Sequence, residues 1–271
     1  MTIDEKYEKL KNILKGMGEV VVAYSGGVDS TFLLKVARDV LGDKAFGVLA
    51  TSPIYPSREY KNALEIASKI GVKIKVIDTK ETDDIKFKEN PLNRCYYCKT
   101  ELFTKIKAIS KKENFNNFVD GSNIDDISDY RPGMKALKEL GIRSPLMEAN
   151  LTKNEVRQLS KILHLPTWDK PALACLSSRF PYGVEIDINK LKMVDSVENY
   201  LHDKGFKNVR ARHYDKTIRI EVSENEIGKF FDSELRKRVT KKIKEIGYTY
   251  VALDLEGYRQ GSMNEVLFDK E

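Results

Sequence analysis

The sequence predicts an α/β fold, a doubly wound parallel sheet followed by a smaller C-terminal α+β domain. Three observations predict it. Short β-branched stretches alternate with amphipathic helical patterns from Val20 to about residue 163. An aperiodic stretch, "PALACLSSRFPYG" (171–183), then reads as a loop that cannot be helix or strand throughout. Beyond it comes a different order: helix, strand, turn, strand, helix, strand. A boundary is expected at 184/185, dividing the chain into domains of 1–184 and 185–271.

Each element has its own justification. Met1 to Gly16 is a charged amphipathic helix without the apolar region or cleavage site of a secretory signal. "VVVAY" (20–24), "KAFGVLA" (44–50), "VKIKVID" (72–78) and "NFVDG" (117–121) read as short buried strands. Helical patterns at about 28–41, 57–70, 98–112 and 152–163 fall between and after them. In the second domain helices are expected at about 187–204 and 224–246, with strands "NVRARHY", "TIRIEV" and "YTYVALDL" and a "DK" turn closing the first two into a hairpin. Ligands of such parallel sheets bind at the carboxyl ends of the strands, where strand order reverses. Ser25–Ser30, Thr51–Pro53 and Gly121–Asp126 all lie at such ends.

Composition sets the outer limits. A chain of 271 residues, 41% hydrophobic and 32% charged, can bury a full core in each of two domains. It has no apolar run of membrane-spanning length, and a cytoplasmic protein that does not enter the membrane is expected. Three cysteines, two of them spaced C-x-x-C, point in a reducing compartment to metal or redox chemistry rather than a disulfide framework. The net charge of +6 suits phosphate-bearing ligands, while lysine-rich stretches such as "ELRKRVTKKIKEIG" read as solvated helix faces, so no nucleic-acid partner is expected.

"SGGVDS" (25–30) follows the first strand and opens a helix. It has neither the lysine of a Walker loop nor the third glycine of a dinucleotide fingerprint. As a plain strand-to-helix turn it would place Asp29 favourably at the positive end of the helix dipole. Two glycines with flanking hydroxyls are more than such a turn requires, and they suit an anion cradle. The stretch matches the PP-loop motif of ATP pyrophosphatases. With "NPLNRCYYCKTELF", "DGSNIDDISDYRPGMKAL", "PALACLSSRFPYG" and "LEGYRQGSMN", spread over nearly the whole chain, the sequence resembles the LarE family of ATP-dependent sulfur transferases.

The resemblance implies a PP-loop, Rossmann-like fold. It also implies a reaction that adenylates a carboxylate of pyridinium-3,5-biscarboxylate mononucleotide and converts it to a thiocarboxylate for nickel-pincer nucleotide biosynthesis. Ser25, Gly26, Gly27, Asp29 and Ser30 would hold ATP and Mg2+, with Thr51 and Ser52 at the adenine end. Asp125 and Asp126 would complete the Mg2+ environment, with Arg131 facing the adenylate phosphate; "SNIDD" reads equally well as a helix cap. Cys175 would be the active cysteine, with Ser178 and Asp29 beside it in catalysis, and Glu221 would match an acidic residue of the family. The resemblance extends to the three-cysteine subgroup, in which Cys95, Cys98 and Cys175 would hold a [4Fe-4S] cluster. The C-x-x-C pair alone fits half of a zinc site, and a sacrificial Cys175 with a bystander pair is a third reading. Arg210 and Arg212, on one face by the period of two, would bind the substrate phosphate, with Arg259 and Arg179 as further candidates; by pattern alone the same face reads as solvated. A small nucleotide substrate, a sulfide source and a homo-oligomer are the partners expected. A PP-loop tRNA thiolase and a non-catalytic adenine-nucleotide-binding module are the alternatives.

Overall fold

The computed structural model describes residues 1–127 and 132–267, excepting the side chains of 266 and 267. Two compact units are present. Unit 1 comprises Met1–Ser52, Ser57–Phe87 and Leu92–Leu173; unit 2 comprises Pro53–Pro56, Lys88–Pro91 and the chain from Ala174 onward. The segment 174–184, which the sequence pattern places in the first domain, thus makes its contacts within unit 2.

In unit 1 the elements run α1 (Ile3–Met17), β1 (Val20–Ala23), α2 (Val28–Leu41), β2 (Ala45–Thr51), α3 (Ser57–Lys69), β3 (Ile74–Asp78), α4 (Ile85–Lys88), α5 (Arg94–Lys111), β4 (Phe118–Val119), α6 (Pro132–Glu139), α7 (Pro145–Glu148) and α8 (Lys153–Ile162). The four strands form a parallel sheet in the order β3-β2-β1-β4. Strand order reverses at β1, so the loops leaving β1 and β4 sit side by side at the switch point. Val20, Val21 and Val22 are fully buried because helices cover both faces. On one face Val21, Phe46, Val48 and Ile77 pack with Phe103 and Ile106 of α5 and Leu137 of α6. Each such side chain, wholly removed from water, contributes about 1.5–3 kcal/mol. Helix α5 starts four residues earlier than the pattern predicts, since nothing after Pro91 opposes a helix; Cys95 and Cys98 therefore lie in its first turns and not in a loop.

In unit 2 the order is α9 (Ile188–Asp203), β5 (Val209–Tyr214), β6 (Thr217–Val222), α10 (Glu224–Ile227), α11 (Ser233–Ile246) and β7 (Tyr250–Leu253). β5 and β6 are an antiparallel hairpin and β7 joins β6 in parallel. Ile218, Ile220 and Val222 point into the core, as the alternation requires. The helix expected over 224–246 is broken at Asp232, whose carboxylate accepts from the amides of Glu234 and Leu235 and starts α11 afresh. Among the described residues no helix is long and apolar enough to cross a membrane.

Candidate active site

The loop between β1 and α2 is shaped by its glycines. Gly26 has φ +63°, and a Cβ there would lie 2.6 Å from the Ala63 Cβ of α3, so this position excludes any side chain. Gly27 is the N-cap of α2 and supplies no side-chain acceptor, leaving the first amides of the helix without a side-chain cap. The Ser30 hydroxyl accepts from the Ser25 amide at 3.1 Å and lies 3.0 Å from the Ser25 hydroxyl, which folds the loop back over the helix start. The Tyr24 hydroxyl donates to the Ala63 carbonyl at 2.9 Å, and burial pushes its pKa up to about 12, so it stays a neutral anchor.

Three segments distant in sequence converge on this loop. The Asn123 side-chain amide donates to Asp29 at 3.3 Å, and Lys153, the first residue of α8, forms an ion pair with the other Asp29 oxygen. Lys170 donates to the Gly26 carbonyl at 3.1 Å while pairing with Glu59 at 2.6 Å. After β4 the chain passes close to the loop: a Cβ on Gly121 would be 3.0 Å from the Ser30 amide nitrogen. Asp120, just before, is buried and accepts from Lys99, Ser122 and Ser144. Burial alone would raise this carboxyl, but Lys99 and the two hydroxyls outweigh it and hold the pKa below the ordinary carboxylate range.

The acidic pair beyond β4 sits in a single 3-10 turn, Ile124–Ile127. Asp125 accepts from the Lys153 amide at 2.8 Å, Asp126 accepts from the Asn123 amide at 3.0 Å, and the Asn123 side chain accepts from the Asp125 amide. The capping reading of "SNIDD" therefore describes the local bonding, and Asp125 links that turn to the α8 start that carries Lys153. Thr51 ends β2, its carbonyl accepting from the Thr79 amide, and the Ser52 hydroxyl donates to buried Glu81. Arg131 lies outside the described residues. Lys153 and Lys170 are absent from the sequence-based candidates; the only sequence signal for Lys153 is its place after a capping-box threonine, Thr152 with Glu155.

Unit 2 contains the second group of candidates. Cys175 is half-buried and caps a short 3-10 turn, Leu176–Arg179. Ser178 donates its hydroxyl to the Cys175 carbonyl at 2.8 Å. Arg179 is 2% exposed and makes a two-pronged ion pair with Glu198 of α9, at 2.8 and 2.9 Å. Burial would raise Glu198, but the Arg179 charge and hydrogen bonds, with the Ala211 amide, keep it ionised, below the ordinary range.

On the hairpin the arginine face is not solvated. Arg212 is 4% exposed, pairs with fully buried Glu221 at 2.9 and 2.7 Å, and donates to the Ser178 carbonyl at 2.9 Å and the Ser262 hydroxyl at 3.2 Å. Arg210 lies half-buried over the Tyr258 ring, 4.7 Å from its centroid; burial, then the nearby Arg179 charge, lower its pKa. Arg259 is more open and pairs with Glu256 at 2.6 Å and Glu265 at 3.2 Å.

The cysteines are in no disulfide. Cys95 and Cys98 are one helical turn apart on α5 in unit 1, so they share a helix face; Cys175 belongs to unit 2. Among the described residues no group of three His, Cys, Asp or Glu side chains is gathered to hold a metal ion.

The model of the NAD synthase family matches residues 3–108, the segment that contains the β1–α2 loop. An uncharacterized protein of Synechocystis is 43% identical over 98% of this chain and 99% of its own length. Pyridinium-3,5-bisthiocarboxylic acid mononucleotide synthase of Lactiplantibacillus plantarum is 37% identical over 98% of this chain and 96% of its own length. A component of the glutamine-hydrolyzing GMP synthase of Saccharolobus solfataricus is 30% identical over 56% of this chain and 45% of its own length. The family-model match contains the β1–α2 loop, and the PP-loop family is one of ATP and Mg2+ binding, whereas the match to the mononucleotide synthase also takes in the cysteine turn and the arginine hairpin. By that end-to-end similarity, the chain belongs to the LarE family of ATP-dependent sulfur transferases.

Proposed function

We propose that this enzyme adenylates a carboxylate of pyridinium-3,5-biscarboxylate mononucleotide with ATP and replaces the AMP by sulfur, giving a thiocarboxylate for nickel-pincer nucleotide biosynthesis. The observation that carries the reading is the Ser25–Ser30 loop. It presents the uncapped start of α2, with Asp29 and Lys153 beside it, in a chain similar from end to end to a synthase of the bisthiocarboxylic product. The α2 amides, Ser25 and Ser30 take the pyrophosphate part of ATP. Asp29 would hold Mg2+, with Asp125, bonded to the α8 start, and Asp126 in the adjoining turn as further carboxylates, and Lys153 would then be available to phosphate. Thr51 serves the adenine end, and a role for Arg131 at the adenylate phosphate rests on the family resemblance alone. AMP is a good leaving group, so the second step needs only a positioned sulfur nucleophile. In the second domain Arg210, with Arg259, takes the substrate phosphate; Arg212, expected beside them from the sequence, is held instead by Glu221, Ser178 and Ser262 and supports that face, and Cys175 with Ser178 serves the sulfur step.

We propose further that Cys95, Cys98 and Cys175 hold a [4Fe-4S] cluster. The donor chemistry supports this reading: three thiols outside any disulfide, two of them on one helix face. Held by three thiolates, such a cluster has one iron open to an external sulfide. The second reading, in which Cys175 gives up its own sulfur, is favoured by a cysteine turn complete within unit 2. A cytoplasmic setting, a homo-oligomer and a separate sulfide source belong to the same proposal.

Mixing protein, ATP, Mg2+ and the biscarboxylate mononucleotide should yield AMP and pyrophosphate; ADP and phosphate would overturn the adenylation reading. Asp29→Asn should cut turnover at least about tenfold with little change in melting temperature, because it alters a charge on a part-exposed loop. Anaerobic reconstitution followed by iron and labile-sulfide analysis separates the two sulfur sources. Equal iron and sulfide, lost in each Cys→Ala variant, supports the cluster; loss of hydrogen sulfide mass from Cys175 in a single turnover, with Cys95→Ala active, supports sacrifice.

A further inference from the structure

The carbonyl groups of the cysteine turn carry an unusual load of bonds. The Cys175 carbonyl accepts from the Ser178 amide at 3.1 Å, the Ser178 hydroxyl at 2.8 Å and Arg179 Nη1 at 3.0 Å. The same Nη1 reaches the Ala174 carbonyl at 3.1 Å and the Ser178 hydroxyl at 2.8 Å. The other edge of the guanidinium is taken by both oxygens of Glu198, and one of these also accepts from the Ala211 amide of β5 at 2.9 Å. One planar cation thus links the backbone on either side of the cysteine to α9 and to the hairpin. The two side chains are 2% and 6% exposed.

A buried pair of this kind is weak support for stability, because desolvation offsets most of the attraction. What it supplies is geometry: a bidentate guanidinium–carboxylate pair fixes the plane and distance of both partners. Further ties hold the flanks: the Leu176 amide to the Ile54 carbonyl, Asn90 to the Pro181 carbonyl, and Arg212 to the Ser178 carbonyl at 2.9 Å. At the Ala174 and Cys175 carbonyls themselves the charged donor is Arg179.

We propose that Glu198, acting through Arg179, is a positioning residue that sets where the Cys175 sulfur stands. The proposal rests on the reading that Cys175 supplies or carries the transferred sulfur, and it holds for either sulfur source. Neither Glu198 nor Arg179 need touch substrate. Glu198→Gln removes the charge that holds the guanidinium, and Glu198→Asp keeps the charge but draws Arg179 back by about one methylene. A displacement on the order of 1 Å at a reacting atom is enough to cost up to about a hundredfold in rate.

Two measurements on the full-length protein test this. The first compares, in one reaction mixture, first-turnover pyrophosphate release with thiocarboxylate formation. In both variants pyrophosphate release should stay within about twofold of wild type while thiocarboxylate formation falls at least tenfold. A merely structural role would lower the two together, and that result, or no change in either, overturns the proposal. The second measures the rate of iodoacetamide alkylation at Cys175, read by peptide mass spectrometry on protein that retains its native melting transition. A change of threefold or more in either variant is expected, and an unchanged rate overturns the proposal. If wild-type protein forms no AMP, the functional reading fails while alkylation still decides the positioning role. If Glu198→Gln does not fold, Glu198→Asp carries both measurements.

Discussion

The PP-loop and the cysteine turn are both short irregular segments studded with charge, yet they handle charge in opposite ways. At the loop, the charged groups are partly open: Lys153 and Asp29 keep 32% and 20% of their side-chain surface, and the α2 amides lack a side-chain cap. At the turn, Arg179 with Glu198 and Arg212 with Glu221 are almost wholly sealed, and each is consumed by its partner. A site that receives a mobile phosphate must leave its donors available to exchange partners. A site that must hold one sulfur in place gains by committing every donor in advance. The difference matches the binding role proposed for the loop and the positioning role proposed for the turn.

The largest expected effect breaks the sealed side. Glu221→Ala would leave Arg212 buried and deprive Arg219 of a contact at 3.0 Å, and orphaning a buried charge costs about 3–5 kcal/mol. Urea unfolding should show a loss of that order. A loss under about 1 kcal/mol would mean that Arg212 finds water, and the contrast with the loop would collapse.

The next sharpens the open side. Gly26→Ala places a side chain at φ +63° and drives its Cβ to 2.6 Å from that of Ala63, whose own Cα would be 3.0 Å away. Left-handed backbone costs roughly 1–2 kcal/mol and overpacking a further 1–3, so a loss of about 2–5 kcal/mol is expected. Adding Ala63→Gly should recover the packing part and leave the backbone part. Full recovery would show that the loop does not depend on the glycine conformation.

These two sites are not equally legible in the sequence. The loop declares itself, because a β-branched strand followed by "SGGVDS" and an amphipathic helix has few readings. The four strands and the hairpin alternation are equally open, since burial on both faces, or on one, writes itself as period. Lys153 and Lys170 are not, because they reach the loop across 124 and 144 residues and a lysine in a polar stretch normally reads as solvated. Glu198 offers one overlooked signal. It falls on the buried stripe of α9 with Leu191, Val194 and Leu201, spaced as core positions are, and a carboxylate there demands a buried cation. Nothing in an aperiodic proline-bounded loop names Arg179 as that cation.

The smallest expected effect concerns a neutral group inside the sealed region. His213 is 1% exposed, stacks 4.9 Å from Phe180 beside the cysteine turn, and shares a hydrogen bond of 3.0 Å with the Tyr248 hydroxyl. Burial, then the Lys190 charge, lower its pKa from the ordinary 6.5, so the folded protein keeps the ring neutral where the unfolded chain begins to protonate it. Between those two values the unfolded state binds more protons, so stability falls as pH falls below about 6.5 and levels off only once the folded-state ring also titrates. Urea midpoints measured at pH 7.5 and 5.5 should therefore differ, with the lower midpoint at pH 5.5, and the difference should shrink in His213→Phe, which keeps the ring and loses the titration. The Arg179–Glu198 pair adds the same sign of dependence through Glu198, but its carboxyl is held below the ordinary range, so that loss belongs to more acidic solutions. A pH 5.5 midpoint as low in His213→Phe as in wild type would assign the early loss to other groups and leave His213 as packing alone.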